Sequence, residues 1–415
     1  MAYERPNVTI DLGNGQLGRQ LDNADGLALL VVGAPLGYAM LEAQVYSLRG
    51  AEVAGATSAA DVVQQSLVWE HIKDFYEEAG DGAPLRVLAV PATTTLTNLF
   101  TSGQSAYVAL QNELKGQGGK VKLLGVVLNP AAAEVAGPAG ITTDLATAIP
   151  LAQVFADAEF AAFRPVDMLL EGRLFSGTAT AALDLRTLAS KNVAVTIGRD
   201  QLRSAALVAS GIAVAGKYAQ VGKVLGRLAA IPVQRSIGRV KDGKLASITQ
   251  ASLSGGALVS SLSDGPGGDL SLLSGKGYIF PLIHPGKDGF FYNDDPTCAA
   301  ATDDYAFVKD SRVINKAARI ARAAYLEELL DDVQIDRTTG YLPVIEVARF
   351  QNVLKNAIEG QMQAQGNIVS CDVYVNPKQN VTATAKIVAL LKIVKTATGA
   401  QIEATVEFYN PFTTI

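Results

Sequence analysis

Near the start of the chain, VTIDLGNGQLGRQ (residues 8–20) sets Gly13, Gly15 and Gly18 in the pattern G-x-G-x-x-G. Glycines so spaced, after a strand and opening a helix, let a dinucleotide pyrophosphate approach the backbone and rest on the helix N-terminus. Here Asp22, Asn23, Asp25 and Gly26 follow closely and would interrupt any such helix. The apolar run beyond them reads as a strand, so the context is strand–loop–strand. We read the glycines as a turn that needs positive φ. A nucleotide-dependent enzyme built on the Gly13–Gly18 loop is the competing reading. Other chemistry is thinner. In GPGGDLSLLSGKGY (265–278), Leu270 and Gly277 stand where a phosphate loop needs Gly and Ser or Thr. No G-x-S-x-G nucleophile elbow occurs.

The chain has two histidines. His71, in VWEHIKDFY, falls inside an amphipathic pattern and reads as packing, while His284, in PLIHPGKDG, falls in a loop-like stretch. Asp294, Asp295, Asp303 and Asp304 could meet a hard cation, but their spacing matches no EF-hand, so they read as a solvated acidic loop. Cys298 and Cys371 lie far apart with no C-x-x-C pattern, and read as isolated thiols. We expect no catalytic centre, cofactor or metal.

The elements that would position such residues alternate. An amphipathic helix is expected over 58–79. Strand-like RVLAVP (86–91), VKLLGVVL (121–128), VDMLLEGR (166–173) and NVAVTIG (192–198) then alternate with helix-like stretches. Those stretches are GQSAYVALQNELKG, the 142–163 region and TATAALDLRTLAS. Apolar strands between helices predict an α/β body with a mostly parallel sheet covered on both faces. A long helical stretch over about 204–230 closes it. From 237 the composition turns to Gly, Ser and Asp. Helices are then expected over 311–331 and 343–365, followed by strands in NIVSCDVYV, TATAKIVALLKIVK and QIEATVEFYNPF.

With 415 residues, 18% charged and a formal net charge of −5, the chain has room for two or three domains and no basic bias toward nucleic acid. Low charge with abundant small residues suits a surface hidden against copies of itself. No signal peptide is evident, and the apolar run at 27–40 is too short and broken to span a bilayer. Near the other end, Ile402, Ala404, Val406 and Phe408 alternate with polar residues, as in a strand with one buried face. Val8, Ile10 and Leu12 make a second β-prone run. Such strands can pair within a subunit or join the sheets of neighbours. Arg312, Lys316, Arg319 and Arg322, spaced by four, three and three, form one basic stripe on a helix. That stripe is either a solvated face or a docking face for an acidic partner.

The stretch GYIFPLIHPGKDGFFYNDDPTCAAATDDYAFVKDSRVINKAARIARAAYLEELL resembles the C-terminal region of contractile tail sheath proteins. VIEVARFQNVLKNAIEG and the closing strands fit its further helix and terminal hairpin. VTIDLGNGQLGRQLDNADGLALLVVGAP resembles the sheath opening, an extended arm and glycine turn leading into a first strand. AQVFADAEFAAFRPVDMLLEGR is similar to a small prophage-type sheath group. The resemblance implies a phage tail or contractile injection system, assembled in the bacterial host cytoplasm. Its subunits would form six-membered rings stacked helically around an inner tube, contracting on energy stored at assembly. The implied partners are the chain itself, the inner tail tube protein, a baseplate and a tail terminator, without nucleic acid or membrane insertion. The implied tube-docking residues are Arg312, Lys316, Arg319 and Arg322. Val8, Ile10, Leu12, Ile402, Ala404, Val406 and Phe408 would carry strand exchange. The expected division is an N-terminal arm (1–26), an outer α/β domain (27–236), and an assembly domain (237–415) with α+β character and extended terminal strands.

Overall fold

The structure is a computed structural model and describes residues 25–34, 44–45, 47–53, 56–128, 135–137, 139–400, 404–405 and 407–408. The glycine loop at 13–18 and the expected strand at 8–12 lie outside these residues. Two compact units divide the chain, residues 1–319 and 320–415.

The first unit is built on a seven-stranded sheet. Its strands are β1 (Ala28–Ala34), β2 (Gln44–Val45), β3 (Leu85–Pro91), β4 (Leu123–Val127), β5 (Asp167–Glu171), β6 (Val193–Thr196) and β7 (Tyr278–Ile279). The order is β2-β3-β1-β4-β5-β6-β7, with β2 antiparallel to β3 and all other pairs parallel. β4 and β5 are buried at every position, because helices cover both faces of the sheet. Leu29 and Val31 of β1 enter one core with helices Ser105–Gly116 and Thr143–Ala161. Ala28, Leu30 and Val32 enter the other with helices Val68–Ala79 and Val221–Ala230. Alternate side chains of one strand point to opposite faces, so β1 divides its apolar residues between two layers.

Three expectations change. The helix expected over 58–79 is two, Ser58–Gln64 and Val68–Ala79, because Gln65 adopts a left-handed conformation (φ 53°) and closes the first. The stretch TATAALDLRTLAS forms turns and one short 3-10 segment, Leu185–Leu188. The stretch over 204–230 is likewise two helices, Gln201–Ala209 and Val221–Ala230, parted by Gly211 (φ 107°).

The boundary expected at 236 is also corrected. β7 adds to the sheet beside β6, with Val195 opposite Tyr278, so residues well past 237 complete the α/β body. The change of composition there marks a change from helices to ordered turns, and the first compact unit continues to Arg319.

In the second unit, helix Val344–Ile358 packs on an antiparallel hairpin, Ile368–Val375 with Ala389–Lys395. Leu342, Phe350 and Val375 form its small core. Of the expected terminal strand, Ala404 and Phe408 are described; they are exposed and lie in no strand, while Ile402 and Val406 fall outside the described residues.

Candidate assembly surfaces

Helix Val308–Leu326 carries the four cations expected to dock a partner. The first three are folded inward. Arg312 is 3% exposed and its guanidinium donates to the Ile231 carbonyl at 3.3 Å. Lys316 is 8% exposed and its ammonium lies 2.5 Å from Asp25. Arg319 donates to the Pro165 carbonyl, and burial lowers its guanidinium to about 10. Arg322 is exposed. The expected four-residue docking stripe is therefore corrected. Residues at that spacing do share a helix face, but for three of them that face looks into the body.

The same helix start is held by buried carboxylates. Asp167, at the beginning of β5, accepts from the Asn315 amide at 2.9 Å, from the Asn192 amide at 3.1 Å and from the Ser311 hydroxyl at 2.5 Å. Burial raises the Asp167 carboxyl above its ordinary value, against these three donors. Asp295 accepts the Lys309 backbone N–H at 2.7 Å, as a cap for the exposed donors of the first turn. Burial and the adjacent Asp294 push the Asp295 carboxyl well up. Asp294 is itself opposed by burial but held low by its neighbour and by Lys309, whose ammonium stands 4.0 Å from each carboxylate. This pair was expected in a solvated acidic loop. Asp295 is instead fully buried, and only Asp303 and Asp304 of the four are exposed. Among the described residues no cluster of metal-ligating side chains occurs.

A second polar centre joins helices Val68–Ala79 and Val221–Ala230. Gly222 and Gly226 bring their backbones so close that a Cβ at Gly222 would stand 2.1 Å from the His71 carbonyl oxygen, and at Gly226 2.3 Å from that of Phe75. At that distance the acidic side of one helix meets cations of the other. Lys223 bonds Glu77 at 2.7 Å and Arg227 reaches Glu78 at 3.3 Å. Arg203 adds bonds to Glu70, to Asp74 at 2.8 Å and to Glu77 at 3.3 Å. Burial opposes ionisation of Asp74, yet Arg203 and Lys223 hold its carboxyl below the usual range. His71 is fully buried, and its Nδ1 accepts the Gly222 N–H at 3.2 Å. The expectation of packing for His71 agrees with this site. His284 stacks obliquely on Phe291 with ring centroids 5.6 Å apart. The carboxylates and cations of this network pair with one another inside the body. Sequence reading missed the network because its charges alternate with apolar residues on ordinary amphipathic helices.

The second unit presents a different surface. Val369, Tyr374, Leu390 and Val394 are each more than half exposed on the outer face of the hairpin, while Cys371, Val373 and Val375 are buried on the other. The sheet has two strands, so among the described residues both outer edges lack a backbone partner. Beside it, Tyr325, Leu329, Val333, Phe350 and Ile387 line a groove of about 520 Å3.

This architecture is that of the sheath subunits of contractile injection systems. The chain is similar to the helical sheath of the anti-feeding prophage in its contracted state, with a TM-score of 0.61 at 12% identity, over 99% of this chain and 100% of that one. It is also similar to the sheath complex of the extracellular contractile injection system PVC, again contracted, with a TM-score of 0.54 at 12% identity over 98% of each chain. A baseplate structure of the anti-feeding prophage gives 0.58 at 12% identity, over 98% of this chain and 100% of that chain. No curated protein matches the sequence. The chain belongs to the DUF2586 family, matching its N-terminal domain over residues 5–296 and its C-terminal domain over 304–413. The family boundary near 300, like the compact units, lies well beyond 236.

Proposed function

We propose that this chain is the structural subunit of a contractile sheath, which polymerises as six-membered rings stacked helically around an inner tube. The observation that carries this reading is the length of the fold agreement, 99% of this chain against the whole of a sheath subunit. A partial match would fit any enzyme sharing a parallel sheet, whereas this one includes the hairpin unit as well.

The work of such a subunit is mechanical. Two lattice packings differ in free energy, and contraction moves the lattice from the higher to the lower. No nucleotide is consumed, and no catalytic residue or cofactor is required. Links between neighbours must survive the movement. The open edges of the hairpin are the natural acceptors, and the runs containing Val8, Ile10 and Leu12 and Ile402, Ala404, Val406 and Phe408 are the donors. Each added main-chain hydrogen bond contributes about 1 kcal/mol net, and a strand adds several. A baseplate and a tail terminator would bound the polymer, which would assemble in the bacterial host cytoplasm.

Electron microscopy of the purified protein tests this. Tubes or stacked rings are expected. Discrete small particles that bind NADH saturably, with binding lost in the Gly13→Ala, Gly15→Ala double variant, would replace the sheath reading with the enzyme reading.

A further inference from the structure

Five Asp–Gly pairs occur in the chain, at 25–26, 81–82, 242–243, 264–265 and 288–289. In such a pair the glycine nitrogen can attack Cγ of the preceding side chain, because glycine has no Cβ to obstruct the approach. A C–N bond forms, the carboxyl hydroxyl and the amide hydrogen leave together as water, and a five-membered succinimide results. Water then opens the ring at either carbonyl. One opening restores aspartate. The other gives isoaspartate, in which the main chain runs through Cβ. Two conditions govern the first step. The carboxyl must be neutral, because a carboxylate has no leaving group. The nitrogen must also be held within about 3–3.5 Å of the carbon it attacks.

The fold meets these conditions unequally. Asp25 lies 2.5 Å from Lys316, Asp242 lies 2.5 Å from Arg239 and 3.5 Å from Arg235, and Asp288 lies 2.5 Å from Lys244. An adjacent cation favours the charged carboxylate, and the Lys244 ammonium holds the Asp288 carboxyl below its usual range. Asp81 and Asp264 are exposed, and among the described residues neither has an ion pair. They differ in the second condition. The Gly265 N–H donates to Asp264 Oδ1 at 2.7 Å, so the carboxyl is already folded onto the amide it would react with. That bond persists when Oδ2 takes the proton, since Oδ1 is then the carbonyl oxygen. When the amide loses its hydrogen, the electron pair left behind points along the former N–H, toward the carboxyl. No such bond joins Gly82 to Asp81 among the described residues. We propose that Asp264–Gly265 is a site of spontaneous isomerisation through a succinimide, and the fastest of the five.

The surrounding loop cannot absorb the change. Its ends are tied together. Ser263 Oγ donates to Asp269 Oδ2 at 2.7 Å, and the Asp269 N–H donates back to Ser263 Oγ at 2.9 Å. Within that closure the Gly265 carbonyl accepts the Gly268 N–H at 3.0 Å and the Ser271 hydroxyl at 2.7 Å. Gly268 has no room to shift inward, because a Cβ there would stand 2.7 Å from the Ser263 carbonyl oxygen. Isoaspartate inserts one main-chain carbon between Ser263 and Gly265. The closure then loosens at the start of helix Asp269–Gly275, whose Leu270 and Leu273 enter the core of the body.

Ageing of the full-length protein at neutral pH and physiological temperature tests the site. Peptide mapping by mass spectrometry, with methylation by an isoaspartyl methyltransferase, reads the product at each pair. The same incubation in denaturing urea gives the rates without the fold. In the native protein isoaspartate at 264 should accumulate about tenfold faster than at 81, and in urea the two should fall within about threefold of each other. Equal native rates at 264 and 81, or isoaspartate at 264 in urea and none in the native protein, overturn the proposal. Asp264→Glu would require a six-membered ring, so it should abolish methylation in this peptide and leave that at Asp81 unchanged. Methylation of the 264 peptide that survives this substitution also overturns it. Amide exchange in residues 269–275 should quicken in the isoaspartyl fraction, and unchanged exchange there overturns the loosening of the helix start.

Discussion

Replacing Gly222 by alanine tests the claim that close helix approach, rather than helix propensity, decides this position. In isolation the change favours the helix by about 1 kcal/mol. In the fold the new Cβ would stand 2.1 Å from the His71 carbonyl oxygen, where ordinary contact begins near 3.4 Å. The obstacle is backbone, so no side-chain rotation relieves it, and the helices must separate by about 1 Å. Overpacking of this kind costs about 1–3 kcal/mol. The separation also lengthens the Lys223–Glu77 and Arg227–Glu78 contacts, at 2.7 and 3.3 Å. Weakening buried pairs without removing their charges adds to the loss. The net expectation is destabilisation by about 2–3 kcal/mol, read as a fall of about 3–5 °C in a thermal melt followed by circular dichroism, because the unit that holds Gly222 is large. Gly226→Ala should behave similarly, and the double variant should lose less than the sum, since both push on one helix. Gly116→Ala is the control, because a Cβ there meets nothing within 4 Å. It should be neutral or stabilising by up to about 1 kcal/mol. A Gly222→Ala protein as stable as wild type would refute the reasoning.

Three further outcomes are expected. Asp167→Ala strands the Ser311, Asn315 and Asn192 donors, so it should cost about 1–3 kcal/mol and speed amide exchange in residues 308–319; unchanged protection there would show that Asp167 does not anchor the helix. Burial lowers His71 to about 4 from 6.5, so the unfolded chain takes up its proton first, and stability should fall as pH drops from 6.5 through 4. Asp61 works oppositely: burial raises it to about 6 from 3.8, so its contribution is full below 3.8 and lost as pH rises through 6. The difference between wild type and His71→Gln in melts across this range isolates the histidine, and parallel curves would reject its burial as a neutral ring. Deleting residues 402–415 should leave a folded, soluble chain that no longer forms long tubes, as judged by sedimentation and negative-stain images; unchanged tube length would reject strand exchange by this segment.

Much of the architecture was legible because it rests on local pattern. The apolar runs now seen as β3 to β6 needed no context, since a strand covered on both faces must be apolar throughout. The Gly13–Gly18 loop lies outside the described residues, so the reading of those glycines rests on the sequence alone. The strands in NIVSCDVYV and KIVALLKIVK were legible as β-prone runs, but their pairing with each other was not, since it joins segments across an intervening turn and short helix. Other features depended on distant partners. That β7 belongs to the main sheet follows from its pairing with β6, some 80 residues earlier, and nothing local in its two residues specifies that edge. The direction of a polar helix face was likewise undetermined. Spacing put Arg312, Lys316 and Arg319 on one side of a helix, but whether that side met water or the body depended on Ile231, Asp25 and Pro165 arriving there. Helix 201–209 is the converse, since the periodicity of Leu202, Ala205, Ala206 and Ala209 alone would place them inside, and all four are exposed. A single chain's sequence fixes the period of a helix face. Tertiary contacts choose which face is buried, because the free energy of burial belongs to the pair of surfaces and not to either one.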